Sequence, residues 1–559
     1  MLQAELNQAI AQALSNVGIE MNIDTERFPN IVALFEDAFA RHGQLTACTS
    51  LGHDLSYQDL DRLTRDFAAW LQQGSGLQRG DRVAVQMPNL IQYLVVVLGV
   101  LRAGMVVVNT NPLYTEREVE HQFNDADVKL LVVQANVARN ASLVLPKTSV
   151  EQVIVTELAD LHPAPKRHII NLVAKYVKKL VPPFDIPGAM KLRKVLKAGR
   201  ALEFQPVPAG ADELAMLQYT GGTTGVAKGA MLSHGNLVAN VMQCDAFFAS
   251  HKLAGAGDIF MQPLPVYHIY AFTASMYSLY VGAQTVFIPN PRDLPSLVKA
   301  FEQYKPRLFC GLNTLFVALC NDAAFKQLDF STLKVTLSGG MALTEAAAAE
   351  WQDITGCVVS EGYGLTETSP VATSNPGGAQ QIGTIGLPVP CTEVRVINDQ
   401  GEPLGLDEAG ELCIKGPQVM QGYWRRPEAT AEVISPEGWF ATGDVAVIQP
   451  DGYLRIVDRK KDMIVVSGFN VYPNELEDVL SKHPAVLECA AVGVRDETSG
   501  EIVKMFVVPR DASLTEQAVK DYCREHLTAY KVPRLVEFRE DLPKTNVGKI
   551  LRRELRDAS

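Results

Sequence analysis

Tyr219-Thr220-Gly221-Gly222-Thr223-Thr224-Gly225-Val226-Ala227-Lys228-Gly229 places three glycines and three threonines between Tyr219 and Lys228. Glycine lets the backbone approach a ligand closely and take up positive φ. Backbone N–H groups and hydroxyls can then converge on anionic oxygens, and the lysine adds a point charge. The composition is that of a phosphate cradle; the plainer alternative is a flexible turn between strands. A Walker loop needs glycine directly before the lysine and Ser or Thr directly after it, but Ala227 and Gly229 stand there. A dinucleotide fold needs G-x-G-x-x-G at a strand-to-helix turn. Here Leu214 to Thr220 reads as a strand, Gly229 to Leu232 as a second strand, and a helix starts only after Ser233, a suitable N-cap. The loop therefore joins strand to strand and lacks the helix N-terminus that holds phosphate in both other motifs.

The chain has 559 residues, too many for one hydrophobic core, so two or more domains are expected. A formal net charge of −12 argues against general nucleic-acid binding. Nine scattered cysteines without a C-x-x-C pair point to a reducing compartment and to no disulfide or zinc framework. The N-terminal MLQAELNQAI has no basic region followed by an apolar run, so no secretory signal is expected. Leu90 to Val108 is broken by Gln92, Arg102 and Gly104. It reads as a buried helix followed by the strand Met105 to Val108, not as a membrane span.

Helical and strand patterns alternate from residue 31 onward. Leu60, Leu63, Phe67 and Leu71 recur at helical spacing within Ser56 to Leu71, and Arg82 to Met87 reads as a strand. Such βα alternation implies a parallel or mixed sheet covered by helices. Residues 166–200 carry ten basic side chains and one acid, Asp185. Ile169, Ile170, Leu172, Val173, Val177 and Leu180 lie among them, so the segment is a candidate for peripheral contact with an anionic membrane, or else a solvated insertion. From Ile382 to Val457 short strands and glycine turns suggest a β-rich subdomain. The charged run Asp458 to Asp462 precedes a compact α/β tail.

Four further motifs bear on the glycine loop. In Glu361-Gly362-Tyr363-Gly364-Leu365-Thr366-Glu367, a ring between glycines can lie on a base, and Glu367 can hold Mg²⁺ beside phosphates. In Gly438-Trp439-Phe440-Ala441-Thr442-Gly443-Asp444, a carboxylate after a tight turn can accept from ribose hydroxyls. The third is Val457-Asp458-Arg459-Lys460-Lys461-Asp462 followed by Ser467-Gly468-Phe469-Asn470, and the fourth is Leu542 to Lys549. Each alone is a weak signal. In this order and spacing the set resembles the adenylate-forming superfamily of acyl-CoA synthetases, peptide-synthetase adenylation domains and luciferases, over roughly residues 30–555. The run Gly452 to Asp462 looks like the fatty acyl-CoA synthetase signature, and the chain is similar to the bacterial long-chain fatty-acid–CoA ligases.

The resemblance implies an α/β fold. A large N-terminal domain, 1–458, contains the β-rich subdomain, a hinge lies at 459–461 around Lys461, and a small mobile C-terminal domain spans 462–559. It implies ATP and coenzyme A as co-substrates with Mg²⁺ held at Glu367 and Thr220. Tyr219, Thr220, Gly221, Gly222, Thr223, Thr224, Gly225 and Lys228 would hold the β- and γ-phosphates. Gly339, Gly340 and Tyr363 would frame adenine, Thr366 would touch the α-phosphate, and Asp444 and Arg459 would grip ribose. Lys549 would reach the carboxylate and α-phosphate oxygens. His268 would sit at the mouth of the acyl site, with Tyr270, Phe272 and Met276 as candidate tunnel lining. Ser467, Gly468 and Phe469 would lie near coenzyme A. Many relatives have proline before the loop lysine, so Ala227 leaves this loop less restrained; it is expected to order when the triphosphate binds. The luciferase and coumarate branch carries lysines where Val465 and Ser467 stand here, which weakens an aryl-substrate reading. The expected activity is ATP-dependent ligation of a long-chain fatty acid to coenzyme A, in the cytoplasm or on the inner face of its membrane, with a homodimer left open. The alternatives are a medium-chain or aryl-CoA ligase, an acyl-AMP ligase loading a carrier protein, and an inactive nucleotide-binding interaction protein.

Overall fold

The computed structural model describes residues 2–220, 227–249, 254–467, 469–496, 499–545 and 550–558. Two large sheets form the body. The first has seven strands in the order Met190–Lys191, Gln152–Thr156, Val128–Gln134, Arg82–Gln86, Val106–Asn109, Leu214–Thr220 and Lys228–Ser233. All neighbours are parallel except the last pair. Its inner strands are runs of Val, Leu and Ile, as expected where helices cover both faces. The second sheet has nine strands and runs from Leu387–Pro388 through Val359–Gly364, Val335–Ser338 and Ile259–Gln262 to the hairpin Thr46–Ser50 and His53–Ser56.

The helix Ile91–Arg102 is apolar on every side, and all twelve residues are buried. Such a helix is stable only inside a core or a bilayer. Here it packs on the helix Tyr57–Gln73 and touches strands of both sheets. Its terminal Arg102 is fully buried and pairs with Asp61 at 2.6 Å and Glu36 at 3.0 Å, so the charge is compensated. Among the described residues no helix is long and apolar enough to cross a membrane.

A third, four-stranded antiparallel sheet follows: Glu393–Ile397, Gly410–Lys415, Phe440–Ile448 and Leu454–Arg459. The N-terminal helix Leu2–Asn16, for which the sequence reading made no provision, rests beside it and buries Leu6, Ile10, Ala13 and Leu14. From Ile464 onward the chain builds a separate five-stranded sheet around the long hairpin Val486–Asp496 and Gly500–Pro509, with its own apolar cluster.

The basic segment divides into two unlike halves. Leu192–Gly199 is a helix docked on Tyr57–Gln73. Lys166–Leu172 is a helix that widens into one π turn over Val173–Val177 and is largely exposed.

Candidate active site

The site lies where the seven-stranded sheet, the nine-stranded sheet and the small sheets meet. It is a single open cleft of about 2710 Å³. The stem of the glycine loop is the antiparallel pair Leu214–Thr220 and Lys228–Ser233, with Thr220 opposite Lys228 and Tyr219 opposite Gly229. Ser233 accepts from the Asn236 N–H and caps the next helix. Gly221 to Val226 lie outside the described residues, and so does the expected closure of the loop on a triphosphate.

Thr220 and Lys228 line the cleft. The Lys228 ammonium stands 4.9 Å from the centre of the Tyr423 ring, a cation–π distance. The Tyr423 hydroxyl donates to Glu367 at 2.7 Å. Loop lysine, aromatic ring and buried carboxyl thus form one chain. Tyr219 faces elsewhere: its hydroxyl donates to Asp125 at 2.7 Å. Tyr219 nevertheless borders the cleft.

Val335–Ser338 ends at Gly339 and Gly340, and Gly340 has φ +82°, which a side chain rarely tolerates. The neighbouring strand Val359–Gly364 carries Tyr363. At Gly364 a Cβ would overlap the Pro370 carbonyl, so glycine is required there. The Tyr363 hydroxyl donates to Asp444 at 2.6 Å, and Arg459 pairs with the other Asp444 oxygen at 3.1 Å. Asp444 and Arg459 are direct cross-strand neighbours in the third sheet. Five of the expected nucleotide residues therefore converge: Gly339, Gly340, Tyr363, Asp444 and Arg459.

Glu367 is buried, and burial, more than any neighbour, raises its pKa. Among the described residues no three acidic, His or Cys side chains gather as a ready-made metal cage. Mg²⁺ commonly takes one or two carboxylates and draws its remaining ligands from substrate phosphates and water. A single desolvated carboxyl linked through Tyr423 to the loop lysine fits an ion that arrives with a nucleotide, and that ion would favour the ionised form. Thr366 lies one residue away on the cleft wall.

His268 caps the helix Ile269–Tyr280, and its Nδ1 accepts from the Tyr270 N–H at 3.3 Å. Burial lowers its imidazole to about 4, so it is neutral at physiological pH. The acyl-lining expectation needs correction along this helix. Tyr270 borders the cleft, but Phe272 and Met276 are fully buried in the core. Positions 272 and 276 lie two residues from 270 and 274, about 200° around a helix. The side chains that face the cleft are Tyr270, Thr273, Ala274 and Tyr277, spaced i, i+3, i+4 and i+7. Phe248 and Phe260 complete this apolar wall.

Lys461 follows the last strand of the third sheet, exposed on the cleft, with its pKa lowered mainly by partial desolvation. Lys549 lies outside the described residues. Its described neighbours Lys544, Thr545 and Ile550 line the same cleft as Tyr363 and Asp444. Gly468 is likewise outside. Ser467 has φ +51° and bonds to Ser499, and exposed Phe469 stacks on Tyr530 at 4.8 Å. Arg552 pairs within the small domain with Glu477 at 2.6 Å and reaches the buried Asp458 at 3.4 Å, and Lys482 pairs across to Glu345 at 2.8 Å.

The fold and its cleft are those of an adenylate-forming enzyme. Residues 35–424 match the family model described as AMP-binding enzyme and 475–549 match the AMP-binding enzyme C-terminal domain, and the chain belongs to this family. It is 50% identical to the long-chain-fatty-acid–CoA ligase of Salmonella typhimurium over 541 residues, 96% of each chain. It is 47% identical to the Haemophilus influenzae protein of the same name, over 97% of this chain and 96% of that one. Among solved structures, ATP-bound MatB from Rhodopseudomonas palustris superposes with a TM-score of 0.81 at 29% identity, covering 95% of this chain and 99% of that one.

Glu361 was quoted in the sequence motif without a role. It is buried on the cleft wall, accepts the Leu343 N–H at 3.2 Å, and burial pushes its carboxyl up to about 8. The folded protein therefore keeps this proton where the unfolded chain, at the ordinary 4.5, has lost it. The stability contributed by that proton is complete below 4.5 and is lost as pH rises toward 8. Glu361→Gln should flatten this part of the stability curve. Thermal melts of both proteins between pH 5 and pH 8 check it; parallel curves would contradict a protonated Glu361.

Proposed function

We propose that this chain is an ATP-dependent ligase that converts a long-chain fatty acid and coenzyme A to fatty acyl-CoA, AMP and pyrophosphate. The observation that carries the reading is near-half identity over almost the whole length of long-chain-fatty-acid–CoA ligases. The geometry supports it, because one cleft joins a nucleotide-type cluster to an apolar wall.

A carboxylate oxygen attacks the α-phosphorus of ATP, the bond to the bridging oxygen breaks, and pyrophosphate leaves. The sulfur of coenzyme A then attacks the acyl carbon of the acyl-adenylate, and AMP departs with the electron pair. In the first half, positioning and charge neutralisation carry the chemistry. Lys228 on the loop stem meets the β- and γ-phosphates together with Thr220 and the loop glycines. Tyr363 covers adenine against the Gly339–Gly340 turn, Asp444 and Arg459 hold ribose, and Thr366 borders the α-phosphate. Glu367, with the Thr220 hydroxyl, would hold Mg²⁺, which neutralises phosphate charge when bound. Lys549 pairs with the reacting carboxylate and α-phosphate. Residues 459–461 form the hinge, so that rotation about Lys461 removes Lys549 and brings the Ser467–Phe469 turn toward the thiol.

Neutral His268 stands where the acyl chain enters. Each buried methylene contributes about 0.8 kcal/mol before ordering costs, so the wall of Tyr270, Thr273, Ala274, Tyr277, Phe248 and Phe260 favours long chains. Lys549→Ala should lower fatty-acid-dependent pyrophosphate release by at least about 100-fold while sparing thioester formation from supplied acyl-adenylate. Wild-type pyrophosphate release by this variant would refute its role. In the wild-type protein, adenylate formation without thioester in the presence of coenzyme A would favour a carrier-loading enzyme instead.

The exposed half of the basic segment supports contact with an anionic lipid surface. Ile169, Leu172, Val173, Tyr176, Val177 and Leu180 are all exposed and repeat at helical spacing, a continuous apolar stripe. Lys166, Lys175, Lys178 and Lys179 flank it. Lys166 also donates to the Gly52 carbonyl at 2.9 Å, which ties the helix to a hairpin tip whose Leu51 is exposed at φ +51°. An amphipathic face of this kind enters the headgroup region of anionic bilayers. The protein should float with vesicles containing phosphatidylglycerol but not with pure phosphatidylcholine, and Val177→Glu should abolish flotation without lowering Tm. Equal behaviour on both lipids would count against this surface.

A further inference from the structure

The helix Glu116–Asp125 grips both described ends of the glycine loop, although nothing in the loop motif points to it. Its start is fixed by a capping box between Thr115 and Glu118. Near its C-terminus, Asp125 accepts from the Tyr219 hydroxyl at 2.7 Å and from Arg426 at 2.7 Å. The Asp125 carbonyl accepts from the Trp424 indole at 3.1 Å, and the Trp424 N–H donates to the Gly229 carbonyl at 2.8 Å. The Tyr219 ring also lies against Gly229, where a Cβ would come within 3.1 Å of it. One turn earlier on the same helix, the His121 Nε2–H donates to the Ala227 carbonyl at 3.0 Å.

That last bond reaches the chemistry. The Ala227 carbonyl and the Lys228 nitrogen belong to one planar peptide unit. Holding the carbonyl therefore fixes the plane from which the Lys228 side chain departs. Ala227 has no ring to restrain its own φ, as a proline would, so the restraint on this peptide comes from outside the loop. With the plane held, the Lys228 ammonium is aimed over Tyr423, whose hydroxyl is bonded to Glu367.

We propose that His121 is a positioning residue for Lys228, which acts by holding the Ala227–Lys228 peptide in the orientation that presents the ammonium to the phosphates of ATP. The proposal rests on Lys228 being a phosphate ligand. Asp125, Tyr219 and Arg426 then form the fixed frame, and His121 supplies the adjustment closest to the lysine. Gln places an amide N–H donor at nearly the position of Nε2, whereas Ala removes the donor.

The experiment is steady-state kinetics of the full chain with His121→Ala, His121→Gln, Lys228→Ala and the Ala/Ala double variant, with melting temperatures recorded for each. His121→Ala should raise KM for ATP about three- to tenfold, the worth of one hydrogen bond, and leave KM for the fatty acid unchanged. His121→Gln should restore most of the ATP affinity. In the double variant, loss of His121 should add little to the loss of Lys228, because both act at one point. An unchanged KM for ATP in His121→Ala, equal defects in Ala and Gln, or fully additive losses would each overturn the proposal. If Lys228→Ala itself leaves KM for ATP unchanged, the phosphate-ligand reading of Lys228 has failed. A lowered Tm with equal rises in both KM values would mark His121 as merely structural and also overturn the proposal.

Discussion

The Asp444 carboxylate is the interaction on which the site depends. It is almost fully buried, and burying a lone carboxylate is prohibitive unless hydrogen bonds and an opposite charge meet it. Tyr363 supplies the first from the nine-stranded sheet, and Arg459 supplies the second from the adjacent strand of the third sheet. Removing either partner leaves the buried Asp444 carboxylate short of compensation. The same contact positions the ring expected over adenine, the acid expected on ribose, and the point where the chain leaves for the small domain. The proposed ribose contact, the packing of two sheets and the start of the proposed hinge therefore share one electrostatic constraint.

Around that anchor the cleft divides its tasks by physical character. The phosphate side has a lysine, a hydroxyl and a desolvated carboxyl within one chain of contacts through Tyr423. The proposed acyl side has aromatic and small side chains from one face of Ile269–Tyr280, beginning at His268, which burial keeps neutral. The small domain contributes from across the cleft, and among its contacts with the body are Arg552 with Asp458, close to the proposed hinge, and Lys482 with Glu345.

Much of this was legible in the sequence where local chemistry speaks. The strands Leu214–Thr220 and Lys228–Ser233 stand out because apolar runs stop at the glycine loop, and Gly364 is marked by a motif that tolerates no side chain. The amphipathic spacing of Leu6, Ile10, Ala13 and Leu14 is equally visible in the sequence. The phase of Ile269–Tyr280 was not legible: the helix is apolar all round, so spacing alone cannot say whether Phe272 or Thr273 meets the ligand. Long-range partners were hidden for another reason. His121 and Ala227 are 106 positions apart, and only the packing of a helix against a hairpin brings them together. The pairing of Asp444 with Arg459 depended on a strand register that residue types do not specify.

The central claim is that one cleft binds nucleotide and acyl chain together, with Asp444 locking the first and the Tyr270–Tyr277 face holding the second. Calorimetric titration with non-hydrolysable acyl-adenylate mimics of increasing chain length tests this directly, with wild-type protein and Asp444→Asn compared. The account predicts that Kd tightens with each added methylene, by up to about fourfold, and that Asp444→Asn weakens every mimic by the same factor. An affinity independent of chain length, or a loss at Asp444 confined to some chain lengths, would contradict it.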